Sequence, residues 1–242
     1  MTGGVHVNQQ KTLHILNGME MYTYFKRTSF LEDELMIPFN EAMCYGNTCE
    51  ELFSEKFTEI RSKVHHVTPS QYAEITLNPL QPLFDGDFNR IILWFDEDMF
   101  CQINVLTILA WLDLTDYKGA IEIHIVGDAF QAVDSFTLTP NGYYKLYKQV
   151  VIDKKLPQGV YPNSLQKGIG LYFSYLTSNS DLMMYIQKHQ DIPTNELVQL
   201  LIQHFKHYGL GDTQYVKLLR PLANIKQFYM FYRFNQKITK ES

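Results

Sequence analysis

Three consecutive carboxylates, Asp96-Glu97-Asp98, follow the apolar run Ile91–Phe95 and precede an apolar helical pattern. A buried strand that ends in acids at a helix start gives those side chains two uses. One is capping. A carboxylate at the N-cap or in the first turn accepts unpartnered N–H groups and complements the helix dipole, worth roughly 0.5–2 kcal/mol. Asp98, just before Met99, fits this use. The other is chemistry: holding a divalent cation, binding ligand hydroxyls, or acting as a general base once burial raises a pKa. Oxygen-only ligands at Asp96 and Asp98 would suit magnesium, which takes one or two carboxylates and completes its shell with phosphate and water.

The elements that would position these acids read as an α/β alternation. Lys11–Gly18 is a short strand ending in Asn-Gly turn chemistry. A helical rhythm follows through Met21, Tyr24 and Phe25, then a second strand stops near Pro38. Residues 47–67 predict an amphipathic helix with Thr48 as N-cap and Glu51 closing a capping box. Thr68 and Pro69 predict the start of another helix. The third strand is Arg90–Phe95, with a helix from about Met99 to Leu112. Ala120–Gly127 is a fourth strand whose Ile-Glu-Ile-His-Ile alternation suggests a place near an edge. Residues 128–138 read as a loop, and "TPNGYYKLYKQ" as a short helix. This pattern predicts a Rossmann-like, three-layer parallel sheet domain over 1–150. Over 151–242 the chain reads as mainly helical, with helices at 161–176, 181–189, 194–208 and 212–219. Ser180 and Thr194 are expected caps there, and Gly209 follows the third helix.

In open parallel sheets, ligands bind beyond the carboxyl ends of the strands. That rule collects Asn17 and Gly18 from the first strand end, Asn40 and Glu41 from the second, and Asp96, Asp98 and Gln102 from the third. Gly18 would let a ligand approach the backbone, and helix N-termini would point at the same rim. His14 lies inside the first strand and reads as structural. Cys101 reads as a buried thiol, and His65, His66, His204 and His207 as solvated helix residues. Lys167–Tyr172, "KGIGLY", reads as a packing segment.

Several classes are excluded or disfavoured. There is no GxxxxGK[ST], no GxGxxG after the first strand and no GxSxG. Three cysteines without a CxxC pair fit free thiols in a reducing cytoplasm, and Cys44 and Cys49 lack a partner cluster for zinc. The most apolar stretch, Val105–Leu112, is too short to span a bilayer, and the N-terminus lacks an apolar signal region. The expected location is therefore the cytoplasm. The net charge of −5 is unevenly spread: residues 1–150 hold 10 Lys+Arg against 20 Asp+Glu, and residues 151–242 hold 11 against 6. Such a chain is not a nucleic-acid binder as a whole.

Three segments resemble an uncharacterised bacterial family, domain of unknown function 1835. They are "HILNGM" (His14 to Met19), "FNEAMCYG" (Phe39 to Gly46) and "LWFDEDMFCQ" (Leu93 to Gln102), with further similarity around His204 to Leu219. Met19 and Cys101 stand where that family usually carries acidic residues. The resemblance implies an α/β sheet domain with a helical C-terminal part, and no established activity.

The leading expectation is a small polar ligand, nucleotide-like or phosphorylated, at the rim of Asn17, Gly18, Asn40, Glu41, Asp96, Asp98 and Gln102. The carboxylates answer equally to hydrolysis, phosphoryl transfer or binding alone. A rival is a regulatory or interaction module whose basic C-terminal part (Lys217, Arg220, Lys226, Arg233, Lys237, Lys240) contacts nucleic acid or a protein, with Phe228, Tyr229, Phe231 and Tyr232 interleaved. A third reading is a homodimer built through this aromatic tail.

Overall fold

The computed structural model describes residues 11–219. The expected tail strand, the dimer surface and, apart from Lys217, the basic nucleic-acid surface lie outside the described residues. The chain divides into two compact units between Phe173 and Ser174.

The first unit runs β1 (Thr12–Leu16), α1 (Gly18–Thr28), β2 (Leu35–Pro38), α2 (Glu55–His65), α3 (Pro69–Tyr72), α4 (Gln81–Asp85), β3 (Arg90–Phe95), α5 (Met99–Leu114), β4 (Ala120–Val126), β5 (Ala132–Leu138), α6 (Tyr143–Tyr147) and α7 (Asn163–Tyr175). Single π-helical segments follow α3 at Ala73–Leu77 and α6 at Lys148–Ile152. The last two residues of α7 fall past the division. The sheet order is β2-β1-β3-β4-β5, parallel through β4, with β5 antiparallel. This is the expected α/β architecture, with helices following the parallel strands.

The order reverses between β1 and β3. From β1 the chain crosses to β2 on one side, and from β3 it crosses to β4 on the other. Right-handed crossovers then put α1 and α5 on opposite faces of the sheet. On one face Leu16, Met36, Ile92, Trp94 and Val126 pack with Met21 and Phe25 of α1. The alternate residues, Ile15, Leu93, Phe95 and Ile123, are fully buried on the other. Most of α5 is buried, as its apolar sequence requires.

Four local expectations are corrected. Residues 132–138 form an edge strand, not a loop, so β4 is internal to the sheet. β5 is exposed along most of its length and lacks the apolar alternation that marks a half-buried strand. The helix expected from Thr48 begins only at Glu55, where Ser54 Oγ accepts the Phe57 N–H. Phe53 sits at φ 57°, which a helix cannot continue through, and Thr48 bonds the Tyr147 hydroxyl instead. Thr194 is the first residue of its helix rather than its cap. The fourth concerns His65, which is half-buried and bonds Glu41 at 2.6 Å rather than standing in solvent.

The second unit holds α8 (Asp181–Lys188), α9 (Thr194–His204), a 3₁₀ turn at Lys206–Tyr208 and helix over 212–219. Ser180 caps α8 through the Met183 N–H, as expected. The Tyr208 hydroxyl donates to Asp181 at 2.7 Å, tying the turn to the start of α8. No helix among the described residues is long and apolar enough to cross a membrane.

Candidate functional site

The carboxyl ends of β1 and β3 flank the point where the strand order reverses. The Asn17 N–H donates to the Trp94 carbonyl at 3.0 Å, which fixes the two strand ends side by side. Gly18 opens α1 at φ 77°, a conformation that favours glycine. A Cβ added there would meet only Asn40 Oδ1, at 4.0 Å, so the backbone is approachable from outside. The Asn17 side chain does not cap α1. Its Nδ2 instead donates to Cys101 Sγ at 2.9 Å.

The three acids after β3 separate into different tasks. Asp98 is the N-cap of α5 and accepts the Cys101 N–H at 2.7 Å. Burial pushes its carboxyl up to about 6, with the Asp96 charge adding to the rise. Asp96 Oδ1 accepts the Glu97 N–H at 2.7 Å. Its carboxyl is raised by burial and by the charges of Glu97 and Asp128. Glu97 is exposed and pairs with Lys167 at 3.0 Å. Gln102 is fully buried, and its Nε2 donates to the Asp96 carbonyl at 2.6 Å. Its Oε1 has no hydrogen-bond partner among the described residues.

Asn40 and Glu41 are engaged by the protein itself. Asn40 Nδ2 donates to the Ile75 carbonyl at 2.8 Å, and the Thr76 hydroxyl donates to the Asn40 carbonyl at 2.9 Å. These bonds clasp the end of β2 to the π-helical segment at Ala73–Leu77. Glu41 is buried against the fully buried Arg61, whose Nη2 donates to Oε1 at 2.7 Å. His65 Nε2 donates to the same oxygen at 2.6 Å, and the Tyr72 hydroxyl donates to Oε2. Burial favours a neutral Glu41, but the His65 bond and the Arg61 charge outweigh it and hold the carboxyl at about 2. Arg61 also donates to the carbonyls of Tyr45, Asn47 and Ala42, so the network pins the loop after β2. Asn104 of α5 holds the same loop through the Met43 N–H and the Glu41 carbonyl. The sequence carried a sign of this: Arg61 lies four residues after Phe57, on the buried stripe of α2.

The thiols are held in their neutral form by burial. Cys44, Cys49 and Cys101 are free and buried, and burial pushes Cys44 up to about 12 and Cys101 well above its ordinary value. No group of three or more His, Cys, Asp or Glu among the described residues is placed to hold a metal ion. His204 ends α9, whereas His207 lies in the 3₁₀ turn after it and faces Asp181 at 3.7 Å.

Beside the reversal point, a cavity of about 570 Å³ opens between the ends of β3 and β4, the start of β5 and the first turn of α7. Asp96 and Glu97 line it on one side, Asp128 and Asp134 on another, and Ser164 and Lys167 on a third. Sequence reasoning missed the last four. Gly127-Asp128 ends the fourth strand and falls under the same strand-end rule that selected the others. Asp134 lies on the unrecognised β5, and Ser164 and Lys167 come from a helix with no local signal of a site.

Comparison with known proteins returns no match: no family model, no curated protein and no solved structure matches the chain.

Proposed function

We propose that this chain binds a small polar ligand in the crevice beyond the carboxyl ends of its parallel strands. The observation that carries this reading is the reversal of strand order between β1 and β3, with Asn17-Gly18 and Asp96–Asp98 on its two sides. In open α/β sheets the two flanking loops part at such a point and leave a crevice that the core does not fill. Nucleotides and sugar phosphates are the ligands that one side of this crevice favours. There the first turn of α1 has no side-chain cap and begins at a glycine with open space around it. On the other side Asp96 offers acceptors for ligand hydroxyls, while Asp98 caps α5 and fixes the turn that carries it. Asn17 borders the ligand, the buried Gln102 holds the Asp96 backbone in position, and Asn40 and Glu41 hold the second loop in place.

The test is thermal melting of the full chain with nucleotides, sugar phosphates, polyols and amines, each with and without magnesium. A ligand present at about 100 times its Kd stabilises the native state by about 2.7 kcal/mol and raises Tm. The expected outcome is at least one compound whose shift disappears in both Asp96→Ala and Gly18→Val. A panel in which nothing shifts the wild-type Tm, or in which every shift survives both substitutions, overturns the reading.

A further inference from the structure

We infer that the free side of β5 is an interaction surface for a second copy of this chain. The two β5 strands pair antiparallel about a two-fold axis at Phe136 and join two sheets into one continuous sheet.

The edge is open and unprotected. β5 is the last strand of the sheet, and its outer side has no strand partner among the described residues. Most of its residues are exposed. A free edge offers its N–H and C=O groups as a template for another strand, so folds blunt it with short strands, proline, lysine or bulges. The opposite edge is blunted: β2 has four residues and ends at Pro38. β5 has seven residues, no proline and no lysine. Its pairing with β4 is irregular at Val133, an extra residue between the partners of Ile125 and Val126, and Asp134–Leu138 is regular.

The backbone of that regular stretch is turned the right way. The Ser135 N–H donates to an exposed side chain, Asp134 Oδ1, at 2.8 Å, and so points away from β4. Bonding groups alternate sides along an antiparallel strand, so the N–H and C=O groups of Ser135 and Thr137 both face outward. A two-fold axis at Phe136 sets Ser135 opposite the partner's Thr137 on each side of the axis. Each such pair exchanges two backbone bonds. On pairing, the Ser135 N–H exchanges Asp134 for a backbone carbonyl.

The residue types select a second copy as the partner. Across the axis Phe136 meets the partner's Phe136, an aromatic pair at the closer, non-hydrogen-bonded spacing. Tyr161 stands edge-on to the Phe136 ring at 6.2 Å and is 55% exposed, so the contact gathers two such ring pairs on one face. On the other face the Ser135 hydroxyl lies beside that of the partner's Thr137. Asp134, the only charged residue of the strand, falls opposite the partner's Leu138 and at the far end from its own copy, which keeps like charges apart. A two-fold contact needs this self-complementarity, because one patch serves both subunits.

The test is sedimentation velocity of the full chain over a rising concentration series, with oxidative cross-linking to read the register. The wild type is expected to pass from monomer to dimer as concentration rises. Ser135→Pro removes an outward N–H on each side of the axis, spares the bonds to β4, and should raise the dimer Kd about tenfold or more. Thr137→Lys, the charge that protects natural edges, should act in the same direction. Leu35→Lys, at the exposed start of the opposite edge strand, should leave the Kd unaltered. An equal mixture of Ser135→Cys and Thr137→Cys chains should form a disulfide-linked dimer on mild oxidation. Either variant alone should not, because identical positions then lie two residues out of register, beyond the reach of a disulfide. The native thiols are buried and do not compete. A chain that is monomeric at every concentration overturns the inference, and if its β5 amides are nonetheless protected from hydrogen exchange, another segment of the same chain covers the edge. A dimer that neither Ser135→Pro nor Thr137→Lys weakens, or a mixture that cross-links no better than the single variants, overturns it too.

Discussion

At the scale of single residues, Glu41 shows why a polar residue at a strand end need not belong to a site. Its oxygens accept from Arg61, His65, Tyr72 and the Ala42 N–H, all within the protein. A buried ion pair adds little net stability as a whole, but removing one partner strands the other charge in a medium that cannot solvate it. Glu41→Gln is therefore expected to cost about 3–5 kcal/mol, read from the urea midpoint. The double variant Glu41→Gln/Arg61→Met should recover part of that loss, because no charge is then left buried. A loss below about 1 kcal/mol in the single variant would mean that Arg61 finds water or another acceptor. The sign with pH follows from the lowered carboxyl. The unfolded Glu takes up its proton near the ordinary value of about 4.3, whereas the folded one resists to about 2. Its contribution is thus complete above about 4.3 and is lost as pH falls toward 2.

At the scale of elements, the capping and chemical uses of Asp96–Asp98 separate cleanly. Asp98 serves α5, and Asp96 faces the cavity. Asp98→Ala is expected to cost about 1 kcal/mol through loss of the cap. Asp98→Asn keeps an acceptor for the Cys101 N–H and should separate from the wild type with pH. Burial raises the folded carboxyl to about 6, above the unfolded value of about 3.9. Its favourable contribution is present below about 3.9 and lost as pH rises through 6. The stability of Asp98→Asn relative to wild type should therefore improve from pH 4 to pH 8, and a flat difference would show that the carboxyl titrates normally. Gly168 is explained at this scale too. A Cβ there would lie 2.3 Å from Gln102 Cβ, so α7 reaches α5 only through a glycine. Gly168→Ala should cost about 1–3 kcal/mol by overpacking. The parallel strands were legible because apolar runs ending in turn or acidic residues leave few alternatives. β3 was bounded correctly from its sequence, and so was the start of α3, with Thr68 as cap and Pro69 at its first position. β5 was not legible, because an edge strand exposed on both sides has no reason to alternate. The start of α2 was misread because Thr48 and Glu51 satisfy a local rule that the left-handed Phe53 overrides.

At the scale of the molecule, the part of the rim that local rules could find was the part carried by strand ends. Asn17, Gly18, Asp96 and Asp98 fall at the reversal of strand order because the hydrophobic pattern sets the strands and the strands set their loops. Asp134, Ser164 and Lys167 reach the same region only through tertiary packing of β5 and α7, which no local spacing encodes. The sheet that organises the rim also carries a pH response across its α1-facing side. There His14 of β1, Trp94 of β3 and His124 of β4 stand in neighbouring registers. Trp94 Nε1 donates to His14 Nδ1 at 3.0 Å, so His14 is used as a neutral acceptor. Burial lowers its pKa to about 4, helped by the charges of His124 and Arg90 and opposed by Glu122, while Glu34 lies 3.9 Å from its Nε2. The unfolded histidine takes up a proton near 6.5 and the folded one only near 4. The native state is therefore penalised progressively as pH falls across that window, and the contribution is complete above about 6.5. His14→Gln preserves an acceptor for Trp94 but cannot take up the proton. Urea unfolding of wild type and His14→Gln at intervals between pH 7.5 and 4 should show the wild type losing stability relative to the variant below about 6.5. Parallel curves would mean that His14 accepts the proton in the folded sheet, which would require the Trp94 bond to break, and indole fluorescence would report that change in the same samples.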